Sequence, residues 1–318
     1  MVLNIILYLV SFIAIWFGAG LIIKSIDRIA KKLKLSTFAV SFFLLGIATS
    51  IPEMAISATA IANKTPEIFV GNLLGGIIVI FLFIIPLLAV IGKGIKINSD
   101  IDKSTLILTI MIMISPSLLL IDQRVTTTEG LLLIFFYGTL FYLVQSKHGI
   151  FDHGSTRVME FKAYSFMDLV KVGAGVALVF LSSQNIVRQT IAFSELFSIP
   201  AYYISLLWLS IGTNLPEISI AIRAVLSGKK DIAFGDYLGS ASANTLLFGI
   251  FTLINEGEVL TYSSFFVTFL FTLVGLVLFY RFARSKHFIS VPEGLVLLGI
   301  YILFVIYEIV GALPIWNG

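Results

Sequence analysis

Hydrophobic residues in this chain form long, nearly uninterrupted stretches that are separated by short polar segments. A helix needs about 20 apolar residues to cross the hydrocarbon core of a bilayer. Ten stretches approach or exceed that length, and they fall at about residues 3–23, 38–62, 67–91, 104–121, 130–146, 167–187, 200–224, 232–254, 262–280 and 292–313. The pattern therefore predicts an all-α polytopic membrane protein with ten transmembrane helices.

The composition agrees with this pattern and excludes several classes of protein. The 318 residues are 58% hydrophobic and only 12% charged, whereas soluble domains carry about 25% charged residues. Ten spans of about 20 residues leave no room for a separate soluble domain. Because the chain has no cysteine, disulfides, thiolate metal sites and cysteine nucleophiles are also excluded.

Basic residues sort between alternate loops of the predicted spans. Eighteen of the 21 Lys and Arg residues lie in the loops on one side, and only Lys64, Arg124 and Arg188 lie on the other. Because cytoplasmic loops are enriched in Lys and Arg, this asymmetry places both termini outside and the linker 147–166 in the cytoplasm. The chain carries no organelle address, so we expect it in the plasma membrane.

The sequence also repeats itself at a constant offset of 164 residues. Nine of 27 positions are identical between residues 49–75 and 213–239, namely Thr49/Thr213, Pro52/Pro216, Glu53/Glu217, Ile56/Ile220, Ala60/Ala224, Ile68/Ile232, Gly71/Gly235, Leu74/Leu238 and Gly75/Gly239. Each half holds five spans, an odd number, so the second half must enter the membrane from the opposite side. We therefore expect a first repeat at 1–146, the linker at 147–166 and a second, inverted repeat at 167–318. Inverted repeats are typical of transporters with a midplane site.

Glu53 and Glu217, which the repeat makes equivalent, are the acids deepest within the spans. An ionised carboxylate at the bilayer centre costs about 2.5–3.5 kcal/mol on insertion scales. No Lys or Arg lies in the middle of any span, so a buried ion pair does not explain the two acids. A structural carboxyl that stays protonated is one interpretation; a site that binds a cation or a proton is the other, and we favour it.

A proline precedes each of these glutamates and predicts a break in helices 2 and 7. Pro52 and Pro216 cannot donate a backbone hydrogen bond, and the residues before them, Ile51 and Leu215, are expected to leave helical geometry. Unwound backbone inside a membrane is tolerated where it lines a cavity.

Oxygen-bearing side chains precede each glutamate by four and three residues. They are Thr49 and Ser50 in the first repeat and Thr213 and Asn214 in the second. Carboxylate, carbonyl and hydroxyl oxygens suit Na⁺ and Ca²⁺, whereas Zn²⁺ and Cu favour His or Cys. Two carboxylates balance one Ca²⁺ or two Na⁺, which makes exchange between these ions a natural hypothesis.

These motifs resemble the two α-repeats of the sodium/calcium exchanger family, within the cation/calcium exchanger superfamily. The resemblance rests on GIATSIPE at 46–53 with GNLLGG at 71–76, and on GTNLPE at 212–217 with GDYLGS at 235–240. It implies ten helices with outside termini, and a gating pair formed by spans 1 and 6. It also implies that Glu53 and Glu217 are central Ca²⁺ ligands, that Thr49 and Thr213 supply oxygens, and that Ser50 and Asn214 line flanking Na⁺ sites.

The chain departs from the family pattern at two positions of the first repeat. Ser240 and Asn244 stand where the family usually has Ser and Asn or Asp, but their counterparts at the 164-residue offset are Gly76 and Ile80. Because neither Gly76 nor Ile80 offers a side-chain oxygen, protons could replace Na⁺ as the coupling ion. Asp236, whose counterpart is Asn72, is either a further transport residue or a charge at a helix start.

The leading hypothesis is a secondary active antiporter that exchanges Ca²⁺ for Na⁺ by alternating access. The alternatives are an H⁺-coupled cation antiporter of the same fold and, more remotely, a passive cation channel. An intramembrane aspartyl protease at Gly235–Asp236 would need a second buried aspartate. We expect no enzymatic activity and no cofactor besides the transported Ca²⁺ and Na⁺ (or H⁺). The expected partners are membrane lipid and small cations, and we expect no nucleic-acid partner. A monomer is compatible with the sequence.

Overall fold

The computed structural model describes residues 2–32, 42–43, 46–97, 102–148, 166–218, 231–232, 234–255, 258–260 and 265–312. These residues are mostly helical. The helices are α1 (Val2–Lys32), α2 (Gly46–Thr49), α3 (Ile51–Ala62), α4 (Pro66–Ile91), α5 (Lys103–Leu119), α6 (Thr127–His148), α7 (Phe166–Phe197), α8 (Ala201–Thr213), α9 (Phe234–Ile254), α10 (Phe266–Lys286) and α11 (Val291–Ala312).

Eight helices of the described part of the chain are long and apolar enough to cross a membrane. They contain the segments Leu3–Ile22, Pro66–Ile91, Lys103–Asp122, Thr127–Ser146, Val170–Phe197, Tyr237–Ile254, Phe266–Ser285 and Val291–Ala312. Each coincides with one of the ten predicted spans. The other two predictions, 38–62 and 200–224, correspond to shorter apolar helices at Ile51–Ala62 and Ala201–Thr213, and they also include residues outside the described ranges.

Two small sheets connect the loops at the two ends of the helices. The strands β1 (Ile95–Ile97), β3 (Asp231–Ile232) and β5 (Phe288–Ile289) form one sheet in the order β3-β1-β5, with β1 parallel to β3 and antiparallel to β5. The strands β2 (Arg124–Thr126) and β4 (Glu258–Leu260) form an antiparallel pair. These strands are only two or three residues long, and they were not predicted from the sequence.

The two short helices are interrupted where the prolines predicted a break, but one residue earlier than expected. The deviating backbone lies at Ser50, with ψ of 6°, and at Asn214, with ψ of 13°. Helix resumes at Ile51 and Leu215, so the prediction that these two residues leave helical geometry was wrong. The residue before a proline can stay helical when the proline itself lies in the first turn of a new helix. The missing N–H of the proline is not needed at that position.

The two repeats make equivalent contacts around these interruptions. Gly75 of α4 packs against the carbonyl of Leu206, and Gly239 of α9 packs against the carbonyl of Phe42. The 164-residue offset relates Gly75 to Gly239 and Phe42 to Leu206. Both carbonyls lie in π-helical turns, at residues 42–43 and at Ser205–Leu209. A side chain at either glycine would prevent this approach, so the glycines set how closely each interrupted helix packs on its neighbour.

Helix α7 extends ten residues beyond the predicted end of its span at residue 187. It continues to Phe197, and several of its polar side chains contact α1. Asn185 donates to the Ser11 hydroxyl at 2.7 Å, and the hydroxyls of Tyr8 and Thr190 lie 3.2 Å apart. These contacts make α1 and α7 a closely packed pair, as the resemblance implied for spans 1 and 6.

Candidate ion-binding site

The interruptions at Ser50 and Asn214 place side chains from both halves of the chain in the interior. At each interruption the side chain turns back and donates to a carbonyl four residues earlier. The Ser50 hydroxyl donates to the Gly46 carbonyl at 2.9 Å, and the Asn214 amide donates to the Ser210 carbonyl at 2.8 Å. These bonds hold the backbone turns that present the two glutamates.

Glu53 and Glu217 are each only 1% exposed. Glu53 lies in the first turn of α3, where the helix dipole favours negative charge. Among the described side chains, no Lys, Arg or His is buried. The buried side chains in the described ranges therefore include no base that neutralises the Glu53 carboxyl group, which must be balanced by a proton or by a bound cation.

Glu53 contacts the second repeat through Asn214. The Asn214 amide nitrogen lies 3.5 Å from Glu53 Oε1, a long hydrogen bond. Asn244 of α9 lies nearby, because both amides border the same glycine: a Cβ atom added to Gly76 would lie 2.6 Å from Asn244 Nδ2 and 3.4 Å from Asn214 Nδ2. Asn244 also donates to the Leu73 carbonyl at 3.4 Å. Glu53 thus lies among amide groups that all come from the other half of the chain.

Glu217 is connected to the first repeat indirectly, through Ser240 of its own half. The Ser240 hydroxyl donates to Glu217 Oε1 at 3.2 Å, and the Ser240 carbonyl lies 3.5 Å from the Ser50 hydroxyl. Asn214 is three residues before Glu217 on the same interrupted helix. The two glutamates therefore belong to one buried polar cluster that is assembled across the interface between the repeats.

Several oxygens in this cluster lack hydrogen-bond partners within the described part of the chain. They are Glu53 Oε2, Asn214 Oδ1 and Asn244 Oδ1. Buried polar atoms are nearly always paired, and leaving one unpaired costs about 1–3 kcal/mol. Unpartnered carboxylate and amide oxygens are the donors that hard cations such as Ca²⁺ and Na⁺ prefer. The described residues contain no group of three or more His, Cys, Asp or Glu that could hold a metal, so amides and hydroxyls would complete any coordination shell.

The structure thus places seven of the nine predicted site residues in or beside this cluster: Glu53, Glu217, Ser50, Asn214, Thr213, Ser240 and Asn244. Thr49 is also buried, but the bond found for its hydroxyl goes to Gly46 of its own helix, at 3.2 Å. Asp236 lies in α9, and its side chain is outside the described part. The aspartyl protease hypothesis gains no support, since no aspartate is buried among the described side chains.

Asn72 is a cluster residue that was not predicted as a site residue. It is fully buried in α4, and its Oδ1 accepts a hydrogen bond from the Thr213 hydroxyl at 3.2 Å. The available signal was the repeat itself, because Asn72 and Asp236 are related by the 164-residue offset. The Thr213 hydroxyl lies equally close to the Ser210 carbonyl, at 3.2 Å, so Asn72 is one of two acceptors for its hydrogen.

Solved structures share this architecture. The chain aligns with the sodium-calcium exchanger NCX_Mj, soaked with Na⁺ and Sr²⁺, with a TM-score of 0.68 and 20% identity over 96% of this chain and 98% of that one. A likeness at this identity establishes the fold.

Sequence comparisons establish the family. The model of the family described as "Sodium/calcium exchanger protein" matches residues 3–145 and 169–310. A protein of Alkalimonas amylolytica named "Putative antiporter CaxA" is 30% identical and covers 92% of this chain and 97% of its own. The sodium/calcium exchanger MaX1 of Methanosarcina acetivorans is 24% identical, with 95% and 97% covered. Both halves of the chain, each with its interrupted helix and its glutamate, are thus matched, and the chain belongs to the sodium/calcium exchanger family.

Proposed function

We propose that the chain is a secondary active antiporter that exchanges Ca²⁺ for Na⁺ by alternating access, and that Glu53 and Glu217 hold the transported ions. The observation that carries this proposal is the buried cluster in which Glu53 contacts Asn214 of the opposite repeat, and Glu217 is connected to the first repeat through Ser240 and Ser50. Two carboxylates supply two negative charges, which one Ca²⁺ or two Na⁺ neutralise. Neutral oxygens would come from the side chains of Thr213, Ser50, Asn214, Ser240 and Asn244. Thr49 and Asp236 are further candidate ligands.

The proposal includes ten spans arranged as two inverted five-helix repeats, 1–146 and 167–318, with a cytoplasmic linker at 147–166. The two small sheets support the alternation of loops. Strands β1, β3 and β5 lie in loops that the charge pattern assigns to the cytoplasm, whereas β2 and β4 lie in loops assigned to the outside. The equivalent contacts of Gly75 and Gly239 support the pseudo-symmetry. Both termini would be outside, and we place the protein in the plasma membrane.

H⁺ coupling is the second candidate, and the structure around Gly76 favours it. The amide of Asn244 fills the space beside Gly76, and Ile80 is fully buried in the apolar core. The first repeat therefore offers no side-chain oxygen at either position. A Na⁺ ion needs several such donors, whereas a carboxyl group binds a proton without a coordination shell.

Ca²⁺ uptake into liposomes that contain the purified chain separates these two candidates. Uptake is measured with an outward Na⁺ gradient at equal pH, and with an outward H⁺ gradient in Na⁺-free buffer, with the membrane potential clamped by K⁺ and an ionophore. Ca²⁺/Na⁺ exchange predicts uptake with the Na⁺ gradient alone. Uptake with the H⁺ gradient alone would establish the second candidate, and uptake that neither gradient increases would refute antiport.

A further inference from the structure

A cavity separate from the ion site opens between α3 and α7. It has a volume of about 310 Å³ and is lined by Ala58, Thr59, Ala62, Asn63, Phe180, Gln184 and Arg188. With about 100° per residue along a helix, Glu53 lies roughly 120–180° around α3 from Ala58, Thr59 and Ala62. The cavity therefore faces away from the carboxylate cluster. The hydroxyl of Thr59, one of its lining residues, lies 2.9 Å from the Ser183 hydroxyl of α7.

The polar lining of this cavity consists mainly of hydrogen-bond donors. Arg188 and Gln184 are exposed and lie one helical turn apart on α7. Asn63 uses one N–H of its amide to cap the Thr59 carbonyl at 2.8 Å, and its second N–H is available. In the described part of the chain, no carboxylate forms an ion pair with the Arg188 guanidinium. A positive charge without a partner makes this an unsuitable path for cations and a suitable place for an anion.

The position of Arg188 in the sequence is a second, independent observation. It is one of only three basic residues in the loops and helix ends that the charge pattern assigns to the outside, and Lys64, another of the three, directly follows Asn63. Two of these three residues therefore belong to the same end of the α3–α7 interface. The basic charge assigned to this side is therefore concentrated there, and Arg124 is its third basic residue.

The remaining wall of the cavity is apolar and partly exposed. Ala58 and Ala62 of α3 and Phe180 of α7 form it, and the Phe180 side chain is 38% exposed. A basic pocket between transmembrane helices with an apolar wall matches the two parts of a phospholipid, a phosphate group and an acyl chain. The volume is within the usual range for a small-molecule site, about 300–1,000 Å³.

The geometry points to a phospholipid-binding site in this cavity, in which Arg188, Gln184 and Asn63 bind the head-group phosphate and Phe180, Ala58 and Ala62 contact the acyl chains. An anionic lipid such as phosphatidylglycerol is the preferred ligand, because its phosphate carries no cationic group of its own. Since α3 bears Glu53 and α7 packs along α1, a bound lipid connects the helix of the ion site to the α1–α7 pair.

Native mass spectrometry of the full-length protein in detergent tests this site directly. Phosphatidylglycerol and phosphatidylcholine are titrated separately, and the fraction of lipid-bound protein is measured. Loss of a hydrogen bond to a charged group costs about 1.5–3 kcal/mol, so Arg188→Gln is expected to weaken phosphatidylglycerol binding about tenfold or more. Arg124→Gln, which removes another exposed basic residue of the same side, is the matched control and is expected to bind like the parent. The parent should bind phosphatidylglycerol more tightly than phosphatidylcholine.

A second variant and a competitor keep the test independent of folding defects in Arg188→Gln. Ala62→Phe fills the cavity from an exposed position without altering charge, and it should also lose lipid binding. Equal lipid binding by the parent, Arg188→Gln and Ala62→Phe would overturn the proposal. Displacement of phosphatidylglycerol by millimolar inorganic phosphate would also overturn it, because free phosphate would then suffice as the ligand.

Discussion

Gly76 has no side chain, and the amide of Asn244 occupies the space beside it. A Cβ atom at position 76 would lie 2.6 Å from Asn244 Nδ2, closer than non-bonded atoms approach. The glycine of one repeat and the amide of the other are therefore matched in shape. At single-residue scale, the site depends on this fit as well as on the charges of the glutamates.

Gly76→Ala is expected to lower the initial rate of Ca²⁺ exchange in liposomes. The added methyl group must displace the Asn244 amide, and a misplacement of about 1 Å at a binding site can cost about 100-fold in rate, so we expect a loss of at least about tenfold. Gly138→Ala is the matched control, because a Cβ atom at Gly138 of α6 would have no neighbour within 4 Å. Equal exchange rates for the two variants would show that the Gly76–Asn244 contact is not needed.

The candidate site was predicted from the sequence only where a polar residue stands out within an apolar span. Glu53 and Glu217 meet that criterion, and the side chains of Ser50, Asn214 and Ser240 followed from their spacing and from the family resemblance. The Gly76–Asn244 contact did not follow, because it depends on how closely α4 and α9 approach each other. No local pattern encodes the distance between helices that are more than 150 residues apart in the chain.

A further buried carboxyl group, Glu308 of α11, connects three helices. It is 4% exposed, and its Oε1 accepts a hydrogen bond from the Thr268 hydroxyl of α10 at 2.7 Å. The Tyr202 hydroxyl of α8 lies 3.3 Å from Thr268 Oγ1. Because Thr268 donates its single hydrogen to Glu308, Tyr202 must donate to Thr268. The three side chains hold α8, α10 and α11 together.

Glu308→Ala is expected to destabilise the protein, whereas Glu308→Gln should unfold at nearly the parent temperature. Gln retains an oxygen that accepts from Thr268, but Ala removes it. Hydrogen bonds between membrane helices contribute about 0.6 kcal/mol on average and up to about 1.7 kcal/mol. Thermal unfolding in detergent measures the difference, and identical midpoints for the Ala and Gln variants would contradict this role.

At the scale of helices, hydrophobic runs predicted the existence of spans better than their ends. The hydrophobic run at 167–187 predicts a span that ends just before Arg188, yet α7 extends to Phe197. Two of its polar side chains, Asn185 and Thr190, are paired with Ser11 and Tyr8 of α1, so these two do not need water. Breaks at Ser50 and Asn214 were predicted by the prolines to within one residue. Hydropathy alone cannot tell a paired polar residue from a solvated one.

For the whole molecule, the two small sheets join loops that are distant in sequence. Strand β1 pairs with β3 and β5, and β2 pairs with β4. All strands of a sheet must lie on one side of the membrane, because unpaired loop backbone does not cross the hydrocarbon core. The sheets therefore agree with the proposed alternation of loops, while the basic residues indicate which side is the cytoplasm.

Single cysteines test the proposed orientation, and the absence of cysteine from the chain makes the parent a ready background. Gln123→Cys lies next to β2, and His287→Cys lies next to β5; both positions are exposed. A membrane-impermeant maleimide applied to intact cells should label position 123, and it should label position 287 only after permeabilisation. The reverse labelling would place both termini in the cytoplasm.

Counter-ion-dependent Ca²⁺ efflux from liposomes tests most directly whether the two glutamates form the transport site of an antiporter. Efflux is measured with and without a counter-ion outside the liposomes. The proteins compared are the parent, Glu53→Gln, Glu217→Gln and Glu195→Gln. Glu195→Gln is the control, because it alters a carboxyl group near the end of α7. We predict that the counter-ion accelerates efflux from the parent and the control, and that Glu53→Gln and Glu217→Gln, although folded, show no exchange. Full activity in the variant that carries both Glu53→Gln and Glu217→Gln would contradict the account.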